Sequence, residues 1–385
     1  MNNLITFAPI ITLIIILFTN ILLFDSTMNG PNQIALLIAA FLGSLIALKS
    51  GKSIQQILKG ITTSIKSSMN AIIILLIIGG LTSTWILSGA VPAMIYYGIE
   101  LINPKYFLLS SCIICAIVSV STGSSWTTAA TIGIALMSIG ELLGLDRGLT
   151  AGAIISGAYF GDKMSPLSET TNLAPSVSGS NLIDHIKYMT RTTIPTITIT
   201  LIIFFLIGIN YNSPNISTNE TNTFLEAIDS TFYIGWEVFT LPLIIIILIY
   251  FRVSAKKTLF IGLLSGIFIA VIFQHELIME INSNTKSSTL TTLIKTVFTG
   301  TNIQIAHESV TSLLSKGGVI GMMWIVILVI TAMIFGGVMY AGGFLKKIID
   351  LILSKSSSNL KIIQSTAGSC LFFNITTCDQ YLAIV

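Results

Sequence analysis

Residues 157–175 read GAYFGDKMSPLSETTNLAP and set Asp162, Lys163 and Glu169 among Ser165, Ser168, Thr170, Thr171 and Asn172. Oxygen donors at this density suit a hard monovalent cation such as Na+, by the logic that gives Ca2+ and Mg2+ carboxylate, carbonyl and amide ligands. Asp162 and Glu169 are seven positions apart, two turns of an intact helix, and a bend between them would bring them closer. Two nearby carboxylates resist ionising together, so one holds a proton until a cation displaces it. The chemistry in prospect is exchange of a cation for a proton. Plainer readings exist for single members: Asp162 and Lys163 as charges holding a bend, Glu169 as a solvated helix end, Ser168 as an ordinary N-cap.

Pro166 and Pro175 fall inside the same segment. Proline has no amide hydrogen, so a helix through Pro166 loses the bond to the Asp162 carbonyl, and one through Pro175 loses the bond to Thr171. The expectation is a broken helix with two freed backbone oxygens beside the side-chain donors. Such non-helical backbone survives in a bilayer only where protein or a wet cavity surrounds it. A second polar cluster runs from Ser119 to Thr128 and offers Ser124, Ser125, Thr127 and Thr128 in support, although small residues also serve close helix packing. A third patch holds Asn374, Thr377 and Asp379. Cys112 and Cys115 lie in an apolar run and read as packing rather than as a redox or metal pair. His185, His275 and His307 fall outside the apolar runs and read as solvated.

The elements that position these groups are set by composition. Of 385 residues 53% are hydrophobic and 9% charged, with mean hydropathy +0.90, against roughly 25% charged in a soluble domain. This describes a membrane protein rather than a soluble domain; the net charge of +3 is small, its distribution near the span ends matters more than its size, and no nucleic-acid partner is expected. Apolar runs near 4–24, 33–48, 70–90, 106–122, 126–143, 150–180, 193–211, 233–251, 258–274, 318–342 and 360–376 predict an all-α polytopic membrane protein of about 11 segments, some broken or re-entrant. The first run lacks a basic flank and a cleavage site and reads as a retained helix. Basic clusters at Lys49–Lys66, Lys187–Arg191, Arg252–Lys257 and Lys346–Lys361 all fall in the cytoplasm if the N-terminus does. The 212–232 segment, acidic and without Lys or Arg, then reads as an external loop.

That parity exposes a repeat. Amphipathic stretches at 51–69 and 290–316 each precede a glycine-bearing span, and an offset of 254 superposes Gly89 on Gly343 and Gly123 on Thr377. The copies run in opposite orientation, the signature of an inverted-topology transporter with its site near the midplane. One transmembrane domain, 1–385, is expected, with a first repeat at 33–211 and a second at 233–385. The same offset carries 157–175 to 411–429, past Val385, so the second copy is expected to be cut short, a natural end there being the alternative.

With these residues in place, the chain resembles the NhaC family of sodium/proton antiporters. The resemblance rests on GSSWTTAATIG at 123–133, AGAIISGAYFGDKMSPLSETTNLAP at 151–175 and CDQYLAIV at 378–385, and it extends over nearly the whole chain. It implies exchange of Na+ against H+, electrogenic or electroneutral, with paired inverted repeats and no cofactor; the cell membrane is the expected location, with the lipid bilayer as surroundings and a homodimer as one assembly. The family commonly has aspartate where this chain has Glu169, which keeps the carboxylate and lengthens its reach. Some relatives exchange carboxylates instead, coupling malate and protons to lactate and Na+. An organic anion would want a fixed positive partner, and Lys163 is the basic residue of the core motif. An intramembrane hydrolase is the remote alternative. Gly161-Asp162 resembles part of an aspartyl protease motif, and His275-Glu276 begins like a zinc site, yet neither pattern is completed.

Overall fold

Apolar segments in a bilayer must satisfy every backbone polar group internally, and this chain does so with helices. A computed structural model describes residues 3–353 apart from 25, 28, 102, 167, 212–217, 252, 302, 304–310, 312, 313, 315 and 316, together with 363, 364, 366–368, 370 and 371. The chain opens with α1 (Asn3–Leu23), α2 (Pro31–Lys49), α3 (Ile54–Ser67), α4 (Met69–Leu87) and α5 (Ala90–Leu101). The candidate chemistry falls on α6 (Phe107–Thr122), α7 (Ser125–Ala130), α8 (Ile132–Leu142), α9 (Arg147–Met164) and α10 (Glu169–Ser178). Then come α11 (Leu182–Asn210), α12 (Thr218–Thr231), α13 (Thr240–Tyr250), α14 (Ala255–Phe273), α15 (His275–Thr285) and α16 (Thr289–Thr299). The last helices described in full are α17 (Met323–Ala341) and α18 (Phe344–Leu353). No strand occurs among the described residues.

Seven helices among the described residues are long and apolar enough to cross a membrane, or eight if the pair 225–231 and 236–248, bent by 90°, counts as one. The 126–143 run is not among them, because the helix breaks at Thr131 into pieces of 6 and 11 residues. The 150–180 run is interrupted as anticipated, and most of 360–376 lies outside the described residues. The segment expected as an external loop differs too. Helix α12 occupies 218–231 of it, where Ala227 and Ile228 form an apolar face that is buried, with α12 packed against α5.

The chain divides into two compact units. The first contains 1–75 and 322–385, the second 76–321. Within the first, the amphipathic α3 is opened by a reciprocal cap between Ser53 and Gln56, at 3.2 and 3.0 Å. It packs on α17 at paired glycines, where a Cβ on Gly60 would stand 2.7 Å from the Gly337 carbonyl oxygen. Ala35, Ala39, Phe335 and Met339 fill the core beside it.

The second unit is organised around α6 and α9, which run parallel. Gly157 faces the Cys112 carbonyl, and a Cβ on Gly161 would lie 2.5 Å from the Ala116 oxygen and 2.6 Å from the Val120 nitrogen. Only hydrogen at these two positions permits the backbones to touch. Helix α8 returns between them, with Gly133 against Ile154 and Gly140 against Thr150.

Candidate functional site

Two helix breaks meet in the second unit. The first follows α6, where Gly123 takes a left-handed conformation at φ 63° and donates its N–H to the Ser119 carbonyl at 2.8 Å. Ser124 then turns extended and caps α7, its hydroxyl oxygen accepting from the Thr127 N–H at 3.2 Å and the Thr127 hydroxyl at 3.1 Å. The hydroxyls of Thr122 and Thr128 both donate to the Ser124 carbonyl, at 3.1 and 3.0 Å. Side chains thus take up the backbone groups that the break leaves over.

The second break lies where Pro166 predicts it. Helix α9 ends at Met164, Ser165 is extended, and Ser168 opens α10 by accepting the Thr171 N–H at 3.3 Å. The carbonyl that Pro166 frees is taken again: Asp162 O accepts from the Ser165 N–H at 3.3 Å and from the Thr171 hydroxyl at 3.2 Å. Thr171 also donates to the Lys163 carbonyl at 3.2 Å. The Asn172 amide spans the break, donating to the carbonyls of Pro166 at 2.8 Å and Ser168 at 2.7 Å. Thr171 and Asn172 therefore fasten the bend, and Thr170 joins them through a 3.1 Å contact with the Ser168 hydroxyl. Pro175 behaves differently from the expectation. The helix passes through it and ends at Ser178, where Gly179 is left-handed at φ 72°, because Ser168 has already supplied a well-capped first turn.

The breaks are joined by Asp162 and Ser125, whose hydroxyl donates to Asp162 Oδ2 at 3.1 Å. Ser119 adds a second tie through its hydroxyl to the Ala158 carbonyl. Asp162 is 9% exposed and is the one charged side chain among the buried polar residues described. Lys163, the next residue along the helix, is exposed. Glu169 is the first residue of α10, so the two acids flank the break. Asn374, Thr377 and Asp379 lie outside the described residues. Cys112 and Cys115 are buried in α6, and no group of three His, Cys, Asp or Glu that could hold a metal occurs among the described residues.

Gly157 and Gly161 were assigned no packing role from the sequence, and Thr131 no role. The glycines carried a signal, Gly-x-x-x-Gly in an apolar helix, which marks close helix contact. Thr131 carried none. Its hydroxyl donates to the Thr127 carbonyl at 2.7 Å, where α7 gives way to α8.

A hydrogen bond to a charged acceptor contributes about 1.5–3 kcal/mol. Ser125→Ala is therefore expected to weaken whatever affinity the Asp162 carboxylate supplies by roughly tenfold to a hundredfold. Half-saturating cation concentration in a transport assay measures this, and an unchanged value would detach Ser125 from the site.

Comparison with known proteins gives a consistent picture. The Na+/H+ antiporter family matches residues 157–385. The malate-2H(+)/Na(+)-lactate antiporter of Bacillus subtilis is 35% identical over 99% of this chain and 79% of its own length. The Na(+)/H(+) antiporter NhaC of Alkalihalophilus pseudofirmus is 35% identical over 96% of this chain and 76% of its own. The arginine/ornithine antiporter ArcD of Halobacterium salinarum is 32% identical over 90% and 69%. No solved structure matches. The motif segment that forms the second break thus lies inside the matched region, and the chain belongs to the Na+/H+ antiporter family.

Proposed function

We propose that this protein exchanges Na+ for H+ across a membrane, the two ions competing for one site built on Asp162. The observation that carries this reading is the buried Asp162 at the junction of two broken helices, its carboxylate accepting from the Ser125 hydroxyl of one break and its backbone carbonyl from the Thr171 hydroxyl of the other. Ser165, Ser168, Glu169, Thr170, Thr171 and Asn172 complete the proposed cation shell, and Ser124, Ser125, Thr127 and Thr128 support it. In the outward-facing state the site releases Na+ and takes a proton; in the inward-facing state the proton leaves and Na+ binds. One Na+ per proton moves no net charge, whereas unequal stoichiometry couples the cycle to about 2.3 kcal/mol per charge per 100 mV.

The architecture that goes with this reading has about 11 segments in two inverted copies, 33–211 and 233–385, with a cytoplasmic N-terminus in the cell membrane. One observation supports the repeat: an offset of 254 carries the bounds of α4 onto those of α17 and the start of α5 onto that of α18. Gly89 and Gly343, which join each pair, are both left-handed, at φ 80° and 75°. Asn374, Thr377 and Asp379 are assigned to the second half of the site on the same offset.

The second reading is malate-proton/lactate-sodium exchange, favoured by a relative as similar as the Na+/H+ antiporter. Against it stands Lys163, which is exposed, whereas an organic anion needs a buried positive partner. In vesicles holding a pH gradient, added Na+ is expected to collapse the gradient and added malate or lactate to leave it intact. Collapse by the organic acids alone would transfer the protein to the second reading.

A further inference from the structure

The first unit, which holds residues 1–75 and 322–385, carries eight lysines and three aspartates. Four of the lysines fall at 49–66, and no acidic residue occurs between Asp25 and Glu100. An excess of lysine beside an apolar span bears on the span's orientation, but it leaves open where the charges stand relative to one another. Helix packing supplies that.

Helix α2 runs alongside α17 in the same direction. The Gln33 amide near its start donates to the Trp324 carbonyl at 3.1 Å, and a Cβ on Gly43 would stand 3.1 Å from Val338. Both helices are long and apolar enough to span, so Lys49, the last residue of α2, comes close to the end of α17 at Ala341. The chain turns there through Lys52, and α3 runs back along α17 from the same end. Gly60 packs on Ala341, and the Ser68 hydroxyl donates to the Met333 sulfur at 2.8 Å. Lys59 therefore stands beside the last turn of α17, and Lys346 and Lys347 follow that turn in the first turn of α18. Phe344 and Ile348 of α18 share one apolar core with Ile57 of α3, so the basic helices are seated together.

Lys49, Lys59 and Lys346 are exposed, Lys52 and Lys347 are half-buried, and none of the five makes an ion pair among the described residues. Asp350, one turn beyond Lys346, is the single acid on these four helices and is itself exposed. Beside the lysines lie apolar side chains that no part of the unit covers: Ile54 and Leu58, one turn apart on α3, are 63% and 55% exposed. Positive charge next to uncovered hydrocarbon, at the end of two spans, complements a molecule that is anionic at its head and apolar below it.

We propose that this basic end of the first unit binds anionic phospholipid of the surrounding bilayer, the lysines meeting the headgroup phosphate and Ile54 and Leu58 the upper acyl chain. The inference goes beyond ion exchange and stands whichever solute the protein carries. Lysine stems lie along apolar surface while their ammonium groups reach headgroup level. Each lysine near anionic lipid strengthens association by about fivefold, and salt weakens the effect.

The experiment uses the whole chain in an uncharged detergent, titrated with acyl-labelled fluorescent phosphatidylglycerol and with phosphatidylcholine of the same chains, binding being read by anisotropy. Phosphatidylglycerol is expected to bind about a hundredfold more tightly, with a preference that shrinks as salt rises. Lys49→Gln, Lys52→Gln and Lys59→Gln together are expected to remove most of that preference, about fivefold for each charge. Lys49→Arg, Lys52→Arg and Lys59→Arg together keep the charge and are expected to stay within about threefold of the parent. Lys346→Gln alone is expected to cost about fivefold, which keeps the test available should the triple glutamine variant fail to fold. Equal affinity for the two lipids, parental affinity in the glutamine variants, or equal losses in the arginine and glutamine triples overturns the proposal. Displacement of the lipid by an equal concentration of inorganic phosphate also overturns it, since the end would then bind free anions.

Discussion

Asp162→Asn is expected to abolish Na+-dependent proton movement, lowering it at least about a hundredfold, while the protein still inserts and purifies as the parent does. The amide has nearly the volume of the carboxylate and can still accept from the Ser125 hydroxyl, which now sits 3.1 Å from Asp162 Oδ2. It cannot release a proton or supply the negative charge that a cation needs when stripped of water. Burial sharpens the effect, because a charge pair in a low-dielectric site is screened far less than one at the surface. Asp162→Glu keeps the charge but pushes it one methylene toward α7, and a partial loss is expected there. Proton flux in proteoliposomes, driven by a Na+ gradient, measures both variants. Parental flux in Asp162→Asn would remove this residue from the mechanism.

Gly161→Ala is expected to be the more damaging substitution for the fold, although it adds a single methyl group. The new Cβ would meet the Ala116 carbonyl oxygen and the Ser119 Cβ at 2.5 Å, and the Val120 nitrogen at 2.6 Å. Two of these are backbone atoms of α6 and cannot rotate away. The helices must separate, at a cost of about 1–3 kcal/mol or more, and both helix breaks move with them. Gly152 on the same helix provides the comparison. Its Cβ would meet nothing closer than Phe204 at 3.9 Å, so Gly152→Ala is expected to be neutral or to stabilise by about 0.5–1 kcal/mol. Thermal unfolding in detergent, with surface expression as a second readout, separates the two. Equal stability of the two variants would show that the α6–α9 contact has more slack than its geometry implies.

The sequence made the membrane character and the second break legible for simple reasons. Long apolar runs with few charges have one solution in a bilayer, and a proline between Ser165 and Ser168 removes a donor that helix continuation needs. The first break was visible only as a polar cluster, because hydroxyl-rich segments also occur in unbroken helices; what decides the case is Gly123 at φ 63°. Pro175 misled in the other direction. A proline costs a helix one hydrogen bond but need not end it when capping and packing hold the turns on either side. Thr131, where α7 gives way to α8, had no local marker, and the 90° bend between 231 and 236 had only Gly235, so both became visible in the folded chain alone. The link between Asp162 and Ser125, 37 positions apart, belongs to the same class of information. Composition names the ingredients of the site, and tertiary packing selects which of them meet.

Parallel docking of α6 on α9 has a bearing on how the protein is made. A chain that leaves the far end of one helix must travel back before it can lay down a parallel neighbour, and here α7 and α8 make that return journey. The carboxylate and its serine partner therefore come together only after four helices have been threaded and the last has been seated against the first. Nothing local nucleates the constellation, and a peptide of residues 157–175 would hold the same side chains without their arrangement. The proposed ion site is in this sense a late product of assembly, complete only once α9 has docked.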